Sequence, residues 1–189
     1  MRNFYRLAQN VDVIPLMTRL ARSEELWNQH RFRTTFENTP HGEVDDILLR
    51  FSDPSIAKDG DTQAVMADTK AVWLPPSVLL PEVQSIVLDL MRRVNAYALD
   101  RLILTRLKTG GRILPHADNQ GEYVHDRDRA RFHVVLQGLP GSLYRTGDET
   151  VQMLTGEVWW FNALVEHEVQ NNSVDDRVHL LVDLQVWPS

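Results

Sequence analysis

The chain has 189 residues, of which 43% are hydrophobic and 24% are charged, a globular balance that argues against long disordered segments. Its formal net charge of −6 argues against a protein built to hold nucleic acid, because neutralising phosphates requires clustered lysine and arginine. The length predicts a single domain over residues 1–189, with a helical supporting part at 1–98 and a strand-rich core at 99–189.

The sequence contains no cysteine, which excludes disulfides and thiolate metal sites. Any bound metal must therefore be held by imidazole and carboxylate groups. The first ten residues, MRNFYRLAQN, lack the apolar run of a secretory signal, and no apolar run is long enough to span a bilayer. We therefore expect a cytoplasmic protein without membrane or nucleic-acid partners, and the sequence predicts no particular oligomeric state.

Helical periodicity is the main pattern in the first half of the chain. Apolar residues recur at helical spacing in Val13–Trp27, which predicts a first helix. The polar segment Arg31–Gly42 is predicted as a loop and Ser52–Asp68 as a surface excursion. A strand is predicted over Asp45–Phe51, and a second helix from about Pro81 to Ala96.

After Ala98 the pattern changes to short runs of β-branched and aromatic residues separated by Gly, Pro, Asn and Asp. Such runs indicate an antiparallel jelly roll or cupin-like barrel, so the predicted fold is mainly β with N-terminal helices. The predicted strands are Leu102–Leu107, Arg112–His116, Arg131–Gln137, Ser142–Arg145, Glu149–Met153, Glu157–Phe161, His167–Asn171 and Arg177–Val186.

The segment LPHADNQ places His116 and Asp118 two residues apart. On an extended strand both side chains leave the same face and can chelate one cation. His167 in VEHEVQNN is the best candidate for a third ligand, and His179 is a weaker alternative. Two imidazoles and one carboxylate leave three coordination positions open, as in the facial triad of non-haem iron oxygenases. The triplet alone also occurs often by chance.

Arg177 begins the last predicted strand, in which every second residue is apolar. It therefore shares the opposite face with His179, Leu181 and Asp183. If this face lines a barrel, the buried guanidinium needs an anion, and its planar fork fits one carboxylate of a dicarboxylic cosubstrate. A structural salt bridge to an aspartate of this strand or of the preceding turn is the alternative.

Arg129, Arg131 and His133 share one face of another predicted strand. Cationic and polar groups on a core face are costly, whereas they suit a pocket that receives carboxylates. A solvent-facing side of an antiparallel strand is the alternative. Loop residues that could add to the pocket, although each fits packing or the surface at least as well, are Trp27, Arg31, Arg33, His41 and Tyr123.

Three segments in this order, GGRILPHAD, ARFHVVLQG and GEVWWFNALVEHEVQNNSVDDRVHLLVDLQV, resemble the aspartyl/asparaginyl β-hydroxylase family. The resemblance runs from about Arg101 to Pro188 and is weaker in the N-terminal half, where WNQHRFRT and TPHGEVDDILLRF are similar to small bacterial and phage members. It implies a double-stranded β-helix and an Fe(II)- and 2-oxoglutarate-dependent dioxygenase. Such an enzyme uses O2 to hydroxylate an unactivated C–H bond and releases succinate and CO2.

When the family's residue roles are carried over position by position, the resemblance implies that His116, Asp118 and His167 bind iron. It implies that Arg177 grips the distal carboxylate of 2-oxoglutarate and that Thr105 assists this grip.

The resemblance also matches His133 to a histidine near the 1-carboxylate, and Arg131 and Arg129 to positions that face the substrate. It therefore implies a small carboxylate-bearing substrate, either a free amino acid or an Asp/Asn-type residue of a peptide. Two other classes stay open, a non-catalytic cupin-like protein that binds a carboxylate ligand or a metal, and a non-oxidative metal-dependent isomerase. Arg177 favours the hydroxylase, because an isomerase does not need a clamp for a distal carboxylate.

Overall fold

The computed structural model describes residues 1–57, 62–67, 70–118 and 129–187, and its regular structure is mainly β. The helices are α1 (Ile14–Leu20), α2 (Phe32–Thr35), α3 (Thr62–Ala67), α4 (Pro76–Leu79) and α5 (Glu82–Arg93). The strands are β1 (Phe4–Ala8), β2 (Val44–Ser52), β3 (Ala71–Trp73), β4 (Ala96–Leu107), β5 (Arg112–His116), β6 (Arg129–Gln137), β7 (Ser142–Thr146), β8 (Glu149–Val151), β9 (Val158–Phe161), β10 (His167–Asn171) and β11 (Arg177–Val186). No helix in the described ranges is long and apolar enough to cross a bilayer.

The strands form two antiparallel sheets. The larger sheet has the order β1-β9-β6-β11-β4-β2-β3, and the smaller sheet has the order β5-β10-β7-β8. Val44, Leu107 and Val135 of the larger sheet share one apolar cluster with Ile113 and Tyr144 of the smaller sheet. The sheets therefore face each other across a common interior, which is the layout of a jelly roll.

The central strand β11 of the larger sheet is buried on both faces over most of its length. The outer face of this sheet packs against α1 and α5, so that Leu16 and Leu90 lie in the same core cluster as Leu180 of β11. The alternate β11 residues Val178 to Leu184 belong to this helix-side core, whereas Arg177 and Leu181 line a cavity between the sheets. The predicted alternation in the last strand is therefore confirmed.

α5 confirms the second predicted helix, although it ends at Arg93 rather than near Ala96. It forms because Val83, Ile86, Val87 and Leu90 recur at helical spacing and make one buried stripe. The first predicted helix is shorter than expected. α1 ends at Leu20, because the polar run that follows interrupts the apolar spacing, and a separate 3-10 turn at Glu24–Leu26 returns Leu26 to the core.

Two segments predicted as irregular contain short helices. α2 lies within Arg31–Gly42, and α3 together with a 3-10 turn at Pro54–Ile56 lies within Ser52–Asp68. Val65 of α3 is fully buried, so this segment covers the core rather than forming a simple surface excursion. Helices of four to six residues contain too few apolar positions to show a period.

The first part of the chain also contributes strands. β1 was not predicted, because only Phe4 of its five residues is fully buried and such a run is too short to show alternation. It pairs with β9, and β2 pairs with both β3 and β4. The N-terminal part therefore extends the larger sheet at both of its edges.

A buried ion pair fixes α2 against β2. Arg33 donates to both carboxylate oxygens of Asp46, at 2.9 and 2.8 Å, and both side chains are buried. We expect Asp46→Asn to lower the free energy of unfolding by about 3–5 kcal/mol, because it leaves a buried guanidinium without its counterion. Urea unfolding measures this loss. The exposed pair of Arg2 and Asp148 is the control, and Asp148→Asn should change the free energy by less than about 1 kcal/mol; equal losses in both variants would contradict the argument.

Candidate active site

Three side chains converge at one end of the smaller sheet. His116 ends β5 and His167 begins β10, and the two residues are register partners. Asp118 follows β5 by two residues, and one ligand atom from each of the three lies within 4.8 Å of the others. Nδ1 of His116 lies 2.7 Å from the carbonyl oxygen of Leu114, and Nδ1 of His167 lies 3.0 Å from that of Val165. Because a carbonyl only accepts, Nδ1 carries the proton in each ring and Nε2 is the free ligand atom.

The electrostatics of this triad suit a divalent cation. Burial lowers the pKa of His116 and lowers that of His167 to about 4, so both imidazoles are neutral near pH 7. Burial is the largest influence on Asp118 and raises its pKa, but the combined attraction of Arg131, the two triad histidines and Arg33 outweighs burial, so the pKa is lowered. The triad therefore offers two neutral imidazoles and one carboxylate, the donor set of non-haem Fe(II) oxygenases.

Arg177 lies deep between the sheets, with 2% of its surface exposed. It donates a hydrogen bond of 3.0 Å to Nδ1 of His179, and its guanidinium carbon lies 5.7 Å from the centre of the Tyr144 ring. Within the described ranges no carboxylate pairs with it, and Asp183 is bound to Arg131 instead. Burial lowers the pKa of Arg177 to about 10. The alternative of a structural salt bridge at Arg177 is therefore wrong for the described residues.

Unpaired polar atoms surround Arg177. In the part of the chain that the structure describes, Thr105 Oγ1 and Nε2 of both His133 and His179 are buried without a hydrogen-bond partner. Burial and the charge of Arg177 lower the pKa of both histidines, so they are neutral. A buried polar atom left unpaired costs about 1–3 kcal/mol. Several such atoms beside one guanidinium indicate a site for a polar, anionic ligand.

Two residues of the triad, His116 and His167, border one cavity together with Arg177. Its free volume is about 30 Å³, which is room for water-sized molecules. The lining residues are Arg33, His41, Thr105, Ile113, His116, Arg131, His133, Tyr144, Phe161, His167, Val169, Arg177 and Leu181. A larger apolar groove of about 470 Å³ lies beside α5, but its lining contains no titratable side chain, so it offers no acid, base or metal ligand.

The two arginines assigned to the substrate already have carboxylate partners. Arg131 binds Asp183 through two hydrogen bonds of 2.7 and 2.8 Å and also contacts Asp118, while Arg129 pairs with Asp100. The alternative of a solvent-facing strand side is wrong at His133, which is 4% exposed, and at Arg131, whose side chain is largely buried between the sheets.

The loop residues that could have added to the pocket lie in different environments. Arg33 and His41 line the cavity, Trp27 packs under the guanidinium of Arg106, and Arg31 is exposed. Tyr123 lies outside the described residues. His179, the weaker candidate for a third metal ligand, contacts Arg177 and His133 instead of the triad.

Tyr144 was not predicted as a site residue. Its ring is buried and lies 5.4 Å from that of His133 and 6.1 Å from that of His167. A single aromatic residue in an alternating strand is indistinguishable from a core residue in the sequence, so no signal marked it.

A family model described as aspartyl/asparaginyl β-hydroxylase matches residues 51–186. The chain belongs to this family. The match includes the triad and Arg177, and it confirms the family predicted from the three segments. The matched region begins at residue 51, whereas the resemblance was expected to become weak before Arg101.

This family member is also similar to individual proteins. Over 83 residues it is 29% identical to an L-proline cis-4-hydroxylase of Rhizobium meliloti, a match that covers 43% of this chain and 28% of that relative. The chain therefore spans less than a third of that relative's length.

Solved structures establish the fold of this β-hydroxylase family member. A prolyl hydroxylase of Trichoplax adhaerens, solved with a peptide fragment of hypoxia inducible factor, has a TM-score of 0.60 at 12% identity, covering 97% of this chain and 83% of that chain. A 2OG-Fe(II) oxygenase family oxidoreductase of Burkholderia pseudomallei has a TM-score of 0.54 at 15% identity, covering 88% and 77%. The predicted double-stranded β-helix is confirmed.

Proposed function

We propose that the protein is an Fe(II)- and 2-oxoglutarate-dependent dioxygenase that hydroxylates a C–H bond of an amino acid. The observation that carries this proposal is Arg177, a buried guanidinium without a carboxylate partner in the described chain, beside a triad of two histidines and one aspartate. A buried charge of this kind is costly unless a ligand pairs with it. A dicarboxylic cosubstrate bound to the neighbouring metal supplies the missing anion.

The chain's own residues would hold the reacting groups in place. His116, Asp118 and His167 would bind Fe(II), and Arg177 with the hydroxyl of Thr105 would bind the distal carboxylate of 2-oxoglutarate. His133 would lie near the carboxylate that is closer to the metal. When bound, the iron and the cosubstrate supply the oxidation, in which 2-oxoglutarate is converted to succinate and CO2. The protein would orient these groups in the space between the sheets.

For the substrate we propose a small carboxylate-bearing molecule, either a free amino acid or a residue of a short peptide. The likeness to an L-proline hydroxylase supports a free amino acid. Arg129 and Arg131 are the proposed substrate contacts, in addition to their pairs with Asp100 and Asp183. We also propose that residues 1–189 act as one domain, since the first part of the chain extends the catalytic sheet, and that the protein is cytoplasmic.

A binding experiment tests the proposal directly. We expect Fe(II) and 2-oxoglutarate, added without oxygen, to give a weak visible charge-transfer band that is lost in His116→Ala and Arg177→Ala. A folded sample without this band would overturn the proposal. A non-catalytic binding protein would bind ligand without forming succinate, and a non-oxidative isomerase would need no 2-oxoglutarate. Proline, other free amino acids and short Asp/Asn peptides should then be screened for a mass gain of one oxygen.

A further inference from the structure

Arg131 joins the triad to a second aspartate. On β6 it is the register partner of Asp183 on β11, and it donates from Nε and Nη2 to the two oxygens of that carboxylate. Its remaining terminal nitrogen, Nη1, contacts Oδ2 of Asp118. Asp183 is 3% exposed, so water does little to screen its charge. The three side chains therefore form one row in the order Asp183, Arg131, Asp118, in which Asp183 is buried and the other two are partly buried.

This row distinguishes the two oxygens of Asp118. Oδ2 is occupied by Arg131, whereas Oδ1 lies 3.7 Å from Nε2 of His116, the nitrogen that is free to bind metal. Each carboxylate oxygen has two lone-pair sites, so the hydrogen bond from Arg131 occupies one site of Oδ2 and leaves Oδ1 the better ligand atom. One-oxygen binding by Asp118 leaves three coordination positions of an octahedral ion open. Binding through both oxygens would leave only two.

We propose that Asp183 is a positioning residue that acts through Arg131, holding Oδ2 of Asp118 so that only Oδ1 binds the metal. The inference rests on the proposed function, because it takes the triad as the metal site. Asp183 has a second effect in this arrangement. Its negative charge compensates Arg131, which would otherwise repel a divalent cation bound at Asp118. Arg131 is thus assigned to the metal carboxylate in addition to any contact with substrate.

Cobalt(II) binding tests the inference without any turnover. We expect Asp183→Asn to raise the Kd for Co(II), measured by titration of its visible absorption, by at least about tenfold, since residues that orient a ligand typically contribute that much to metal affinity. Asp100→Asn is the matched control. It removes the aspartate that pairs with Arg129, two residues from Arg131 on β6, but that pair does not contact the triad. Its Kd should stay within about twofold of the parent value.

A second variant covers the case in which Asp183→Asn does not fold. Arg131→Gln/Asp183→Asn removes both charges of the Arg131–Asp183 pair together, so neither is left without the other. It should also bind Co(II) at least about tenfold more weakly than the parent, because Asp118 has lost its restraint. Parent-like affinity in either folded variant would overturn the inference. If the parent itself binds no Co(II), the proposed function fails as well, so the two failures are distinguishable.

Discussion

Replacing Arg177 with methionine is expected to raise the KM for 2-oxoglutarate by about 100-fold or more while stabilising the ligand-free protein. Losing one partner of a buried charge pair typically costs about 2–5 kcal/mol of binding energy. The fall in the pKa of Arg177 to about 10 corresponds to a burial cost on the order of 3 kcal/mol. At pH 7, well below that pKa, Arg177 stays protonated and the full cost is present. Methionine removes the charge and keeps most of the volume.

Succinate formation measures the KM of Arg177→Met, and thermal melting measures its stability with and without 2-oxoglutarate. The cosubstrate should raise the melting temperature of the parent but not that of the variant, because only the parent binds it tightly. Arg145→Met on β7 is the control, since Arg145 pairs with Glu168 outside the cavity and should leave the KM unchanged. An unchanged KM in Arg177→Met would show that this guanidinium does not bind the cosubstrate.

His167→Ala is expected to lower turnover by about 1000-fold or more, equivalent to roughly 4 kcal/mol of activation free energy. The substitution removes one of three protein ligands, so the metal is both bound weakly and held in the wrong geometry. Metal content after gel filtration and the rate of succinate formation should fall together.

His41→Ala is the matched control for His167→Ala. The His41 ring lies 4.8 Å from that of His116 and borders the same cavity, yet His41 is not one of the three converging ligands. Its substitution should lower metal content much less than His167→Ala does, because His41 contacts the ring of a ligand but is not itself one of the three ligands. Equal losses in the two variants would show that the metal site differs from the proposed triad.

Structural features that depend on the spacing of nearby residues could be predicted from the sequence. Alternation in β11 predicted that Arg177 points away from the helix-side core, and the spacing of His116 and Asp118 predicted a chelating pair. His167 needed more than spacing, because its distance from the pair depends on how β10 aligns with β5. The residues alone offered His167 as the best candidate and His179 as a weaker one, the family resemblance also assigned His167, and the register of the two strands agrees with that assignment.

Side-chain pairings between strands that are far apart in the sequence could not be predicted from it. Asp183 meets Arg131 only because β6 and β11 pair in one particular register, and a slip of one residue would turn either side chain to the other face. A single sequence does not determine such a register. Arg33 was a weak loop candidate for the same reason, since its burial depends on the Asp46 carboxylate that β2 places beside it.

The register pair of His116 and His167 also constrains how the protein folds. Strands β6 to β9 lie between these two residues in the sequence, so closing the site means closing a long loop first. Folds with such distant contacts form slowly compared with helical bundles. A growing polypeptide on the ribosome therefore offers iron no complete site until β10 has joined β5.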